Sequence, residues 1–105
     1  PSGGFSGSVV YSSTKGGITT MCRGLARIFG PHAITVNCVS PGMVHTRMLT
    51  TGLAPEAYEA MKKQTPLGYV AEPEDLVGSV VFLASDHAKY ITGATLNVSG
   101  GFLMY

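Results

Sequence analysis

Ile34-Thr35-Val36-Asn37-Cys38-Val39-Ser40-Pro41-Gly42 decides how this chain folds. An uncharged run rich in β-branched residues ends abruptly in Ser-Pro-Gly, the form of a buried strand that enters a turn. Just before it, Gly30-Pro31 closes a stretch in which Ile18, Met21, Cys22, Leu25, Ala26 and Phe29 recur at the i, i+3, i+4, i+7 spacing of one helix face. A helix over 11–29 that feeds a strand over 34–39 predicts a parallel sheet. Downstream, Pro55 sits where the first turn of a helix running to about Lys63 accepts it, and Pro73-Glu74-Asp75 opens another, with Pro at the first helical position and acids near the positive dipole end. In that second helix Leu76, Val77, Val80, Val81 and Ala84 form a stripe expected to face the core, and Ala94-Thr95-Leu96-Asn97-Val98 reads as a last strand. Pro1 to Ser8, glycine and serine around one Phe5, reads as a loop. The order helix, strand, helix, helix, strand belongs to a doubly wound α/β fold, without internal repeats.

Composition agrees with a buried α/β interior: of 105 residues, 45% are hydrophobic, 12% are charged and 14 are glycine. The net charge is +1, and Arg23, Arg27, Lys62, Lys63 and Lys89 are scattered, so nucleic acid is not an implied partner. No apolar run approaches the roughly 20 residues of a membrane span. Cys22 and Cys38 lack C-x-x-C spacing and read as core thiols in a reducing, cytoplasmic compartment. Pro1-Ser2-Gly3-Gly4 carries neither an initiator Met nor a signal-peptide pattern, and the chain is short for a dinucleotide-binding enzyme, so it is expected to be part of a longer protein.

Tyr11-Ser12-Ser13-Thr14-Lys15 places a phenol and an ammonium four residues apart, which on a helix puts them on one face with Cβ atoms about 6 Å apart. A tyrosine titrating near 10 is a poor proton source or sink at neutral pH, and a neighbouring positive charge favours its phenolate. Surface residues also produce Y-x-x-x-K by chance, so the pair needs its context. Gly16 and Gly17 each cost roughly 1 kcal/mol against Ala inside a helix, which hints that another backbone or a ligand comes close there.

That context is a resemblance. Tyr11 to Gly17, then a helix, then Ile34 to Thr46 through Asn37 and Pro41-Gly42, resembles the short-chain dehydrogenase/reductase family, and the likeness continues through Pro73-Glu74-Asp75-Leu76, Phe82-Leu83-Ala84-Ser85-Asp86, Ile91-Thr92-Gly93 and Asn97-Val98-Ser99-Gly100-Gly101. It implies the C-terminal part of a single Rossmann-type domain, with residues 1–105 all within it. It also implies an oxidoreductase that interconverts a secondary alcohol and a ketone with NAD or NADP, as 3-oxoacyl-acyl-carrier-protein reductases and sugar or polyol dehydrogenases do. By that resemblance Tyr11 exchanges the proton, and Lys15 lowers its pKa and binds the nicotinamide ribose. Pro41-Gly42 borders the nicotinamide, the Val44 backbone bonds its carboxamide, and Thr46 contacts the carboxamide or pyrophosphate. A dimer or tetramer of the parent protein, built through the helix matching 11–29 and the last strand, follows by the same analogy.

Other residues are weaker candidates. His45 reads as a second acid/base group or as a loop histidine, His32 and His87 sit beside helix ends, and no ligand spacing supports a metal site. Met43, Met48, Leu49 and the segment Leu53 to Thr65 match the family's substrate-covering region, although plain hydrophobic packing explains them equally. The family's phosphate-cradling T-G-x-x-x-G-x-G turn, the residue selecting NAD or NADP, and its catalytic serine and asparagine are not in this sequence and are expected upstream; Ser2, Ser6 and Ser8 lie too close to Tyr11 to substitute. Ser99 stands where many relatives carry an acid. The alternative is a truncated, non-catalytic assembly or interaction module. With only two strands, the chain alone is expected to leave apolar surface open and to dissolve poorly or associate.

Overall fold

The structure, a computed structural model, describes residues 2–42, 44 and 54–102, the stretch 2–12 by its backbone alone. Its elements are α1 (Ser2–Phe29), a 3-10 turn (Gly30–His32), β1 (Cys38–Pro41), α2 (Pro55–Gln64), α3 (Glu74–Ala84), a second 3-10 turn (Asp86–Ala88) and β2 (Thr95–Val98). The strands form a two-stranded sheet. Cys38 N–H donates to Ala94 O at 2.9 Å and Gly42 N–H to Val98 O at 3.2 Å. Partner numbers rise together, so the strands are parallel, and the helices α2 and α3 supply the long connection that parallel pairing requires. The predicted α/β alternation is present.

Two compact units make up the chain, Pro1–Cys38 with Lys89–Thr95 and Val39–Ala88 with Leu96–Tyr105. In the first, Cys22 and Ala26 are buried one turn apart on α1, and a Cβ built on Gly93 would lie 3.5 Å from the Ala26 methyl. Beneath that helix a polar clamp closes the unit. Val36 N–H donates to Thr92 Oγ1 at 3.0 Å, Gly93 N–H to Val36 O at 2.8 Å, Asn37 Nδ2 to Ile91 O at 3.0 Å, and Ala94 N–H to Asn37 Oδ1 at 3.1 Å. In the second unit Ser40, Thr65, Val70, Ala88 and Ser99 are buried. There Leu67 N–H donates to Gly100 O at 3.0 Å, and Gly101 takes φ 90° where a Cβ would come within 2.8 Å of Pro66 Cγ, so only glycine fits that turn.

Several sequence expectations are corrected. The loop expected over Pro1 to Ser8 is helical from Ser2; poor helix formers are carried along because extending a nucleated helix adds one hydrogen bond per residue fixed. The strand expected over 34–39 begins at Cys38 instead, because Val36 and Asn37 spend their hydrogen-bonding groups on the 91–94 turn. Pro73 caps α3 rather than entering it. The stripe on α3 does not face a core: α3 has no buried residue, and Val77, Val80 and Val81 are each more than half exposed. On α1 the predicted face divides, with Cys22 and Ala26 buried while Ile18, Met21 and Phe29 are exposed. Periodicity identifies an apolar face but not what covers it. A Cβ at Gly16 or Gly17 would meet nothing within 4 Å, so no backbone described here explains those glycines.

The two cysteines are free thiols. Burial pushes the Cys22 thiol above its ordinary range, the neighbouring Cys38 adds to this, and Arg23 pulls weakly the other way. The neutral thiol is therefore favoured in the folded state. Its stabilisation is fully present below the unfolded thiol's value of about 8.5 and is lost as pH rises through the raised value. The urea midpoint should fall above about pH 8.5 in the native protein and less steeply in Cys22→Ala; parallel profiles would contradict this. Asn37→Ala leaves Ile91 O and the Ala94 N–H without their partner and should cost roughly 1–3 kcal/mol, read as a lower denaturant midpoint.

Candidate active site

Residues singled out by the sequence fall in both units. In the first, the backbones of Tyr11 and Lys15 lie four residues apart in the continuous helix α1, about 6 Å along its axis. The Tyr11 side chain lies outside the described residues; that of Lys15 is half-buried. The helix next to Lys15 is regular, with the Thr19 hydroxyl donating back to Gly16 O at 3.0 Å. Gly16 and Gly17 leave its surface open, since no described atom stands within 4 Å of where a Cβ would be.

In the second unit Pro41 closes β1, and Gly42 follows with its N–H already bonded to Val98 O. A Cβ on Gly42 would stand 2.7 Å from Ser99 Cβ and 2.9 Å from Ser99 Cα. The close approach that this glycine permits is therefore to the end of β2. Val44 makes an isolated parallel bridge with Ala71, which brings the loop leaving β1 alongside the segment leading into α3. Thr46, His45, Met43, Met48 and Leu49 lie outside the described residues.

A cleft at the carboxyl end of β2 was not foreseen. It has a volume of about 240 Å³ and is lined by Leu67, Tyr69, Ala71, Asp75, Ser99 and Gly100 among others. Carboxyl ends of parallel strands are where open α/β sheets take ligands. Asp75 is fixed at its rim by accepting the Glu72 N–H at 2.8 Å on Oδ2. In the sequence Asp75 reads as a helix-dipole acid and Ser99 as part of a motif, and nothing short of the fold places them around one space. Among the described residues no cluster of three or more His, Cys, Asp or Glu could hold a metal ion, and no helix is long and apolar enough to cross a membrane.

Comparison with known proteins gives one answer. Residues 2–103 match the family model described as enoyl-(acyl carrier protein) reductase. The 3-oxoacyl-(acyl-carrier-protein) reductase of Pseudomonas aeruginosa is 46% identical over 102 residues, which are 96% of this chain and 40% of that protein. The L-rhamnose 1-dehydrogenase (NAD(P)(+)) of Azotobacter vinelandii is 42% identical over 95 residues, 90% of this chain and 37% of that one. Among solved structures, the 3-oxoacyl-(acyl-carrier protein) reductase from Brucella melitensis superposes with a TM-score of 0.85 at 34% identity, over 90% of this chain and 35% of its own. The chain thus spans about two-fifths of the length of the curated relatives it matches, and the structural likeness covers 90% of it. By sequence and by fold, the chain belongs to the short-chain dehydrogenase/reductase family.

Proposed function

We propose that the protein of which these residues form the described part is an NAD- or NADP-dependent oxidoreductase that interconverts a secondary alcohol and a ketone. The observation that carries this reading is the pairing of Tyr11 and Lys15 one turn apart in α1, in a chain 46% identical to a reductase along 96% of its length. Relatives named as a 3-oxoacyl-(acyl-carrier-protein) reductase and as a sugar 1-dehydrogenase support hydride transfer at a carbon that bears oxygen.

Tyr11 is the acid/base group: its hydroxyl gives a proton to the carbonyl oxygen during reduction and its phenolate removes one from the alcohol during oxidation. Lys15 acts in two ways, favouring the phenolate by its charge and offering N–H donors to a ribose diol. The open surface at Gly16 and Gly17 beside it suits such a sugar, which supports the fit of a nicotinamide nucleotide. When bound, that nucleotide supplies or accepts the hydride at the carbinol carbon. Pro41 and Gly42 shape the turn that would border it, the Val44 backbone would bond its carboxamide, and Thr46 would hold the carboxamide or pyrophosphate. A homo-oligomer and a cytoplasmic location belong to the same proposal, the second supported by the two free thiols.

The test is a pair of variants of the whole protein assayed in the alcohol-oxidising direction. Tyr11→Phe should lower kcat by about 10²- to 10⁴-fold, the usual worth of a positioned acid or base, while still binding NADH or NADPH. Oxidation needs the phenolate, so wild-type kcat rises with pH and levels off once Tyr11 has ionised. Lys15→Met should move that inflection upward, toward the value of about 10 of an unassisted tyrosine. Full turnover by Tyr11→Phe would remove Tyr11 from the reaction, and an unmoved inflection would remove Lys15 from its role.

A further inference from the structure

We infer that Ser99 is a positioning residue for the Pro41–Gly42 turn: the end of β2 is a fixed stop on which that turn rests, and it sets where the turn presents its backbone to a nicotinamide. The inference rests on the role proposed for that turn. Its support is the space around Gly42. A Cβ built there would lie 2.7 Å from Ser99 Cβ, 2.9 Å from Ser99 Cα and 3.1 Å from Ser99 O. Two of those three atoms are main chain and cannot swing aside as the tip of a side chain would.

The contact is held from both sides. Gly42 N–H donates to Val98 O at 3.2 Å, so a hydrogen bond draws the turn onto β2 and Ser99 halts it. Two residues on, Val44 bridges Ala71 in parallel, which ties the chain leaving β1 a second time. Behind the stop, Ser99 is 8% exposed, and its carbonyl accepts the Phe102 N–H at 3.0 Å, closing the turn that follows β2. The segment after α2 braces that turn in its place: Leu67 N–H donates to Gly100 O at 3.0 Å, and the Gly101 backbone lies against the Pro66 ring. Ser99 therefore has nowhere to recede when pressed from Gly42, and a side chain at Gly42 would move the turn rather than the stop. Hydride transfer asks for reacting atoms about 3–3.5 Å apart, and a misplacement of about 1 Å costs up to about 10²-fold in rate.

The test uses the whole protein and measures turnover per bound nucleotide, a ratio that loss of folded molecules leaves unchanged. Gly42→Ala should lower kcat per nucleotide-binding site by about 10²-fold. Adding Ser99→Gly removes the nearest of the three contacts and should recover about tenfold of that loss, whereas Ser99→Gly alone, which takes the stop from an intact turn, should lower turnover per site by about threefold. If Gly42→Ala does not fold, the single Ser99→Gly variant decides, and unchanged turnover per site would count against the inference. Full turnover per site in Gly42→Ala, or losses that simply add in the double variant, would overturn the role of Ser99 and leave the cofactor reading standing. A wild-type protein that binds neither NADH nor NADPH would overturn both.

Discussion

Asn37 carries the constraint on which the ordering of these elements depends. Its amide gives a proton to Ile91 O and accepts one from the Ala94 N–H, while the adjacent Val36 backbone is bonded on both sides to Thr92 and Gly93. These bonds join positions more than fifty residues apart in the chain. They bring Cys38 opposite Ala94, and a parallel ladder begun there has one register, because a slip of one residue would reverse the facing of every side chain in the strand. The buried hydrophobic side chains among the described residues, Cys22, Ala26, Val70 and Ala88, are small and remove little apolar area from water. Directional bonds therefore contribute specificity that so small a core cannot supply.

The same clamp explains what could and could not be read in advance. The alternation of helix and strand, the Pro55 helix start and the stop at Gly30-Pro31 were legible because each is a local preference written in adjacent residues. The first residue of β1 was not, because Asn37 looks like any strand residue until its partners at Ile91 and Ala94 are in place. Helix α1 reaching back to Ser2 was hidden for the opposite reason: cooperativity overrides the poor propensity of Gly3, Gly4 and Gly7. The valines of α3 carried a correct period and an incorrect burial. A stripe such as Val77, Val80 and Val81 specifies that something apolar would be favourable against it, and no described residue supplies that surface in full.

The candidate site divides along the same line. Tyr11 and Lys15 could be singled out because the chemistry proposed for them depends on a spacing within one helix, and α1 keeps that spacing. Gly42 is expected to border the nicotinamide, and the close approach that the structure shows at it is to Ser99; a tight glycine shows that something comes close, and the sequence alone does not name it. The cleft around Asp75 and Ser99 had no signature, since its lining comes from two stretches, 67–75 and 98–100, that are distant in the chain.

The proposed chemistry is tested most directly by the origin of one hydrogen. The whole protein would be given a 3-oxoacyl thioester or a keto sugar with nicotinamide nucleotide deuterated at the transferring carbon, and the alcohol product analysed by mass spectrometry and NMR. Family membership joined to the Tyr11–Lys15 pair leads us to expect deuterium on the carbinol carbon and a solvent proton on its oxygen. An alcohol whose carbinol hydrogen comes from solvent, or no exchange of label between cofactor and any such substrate, would contradict the account.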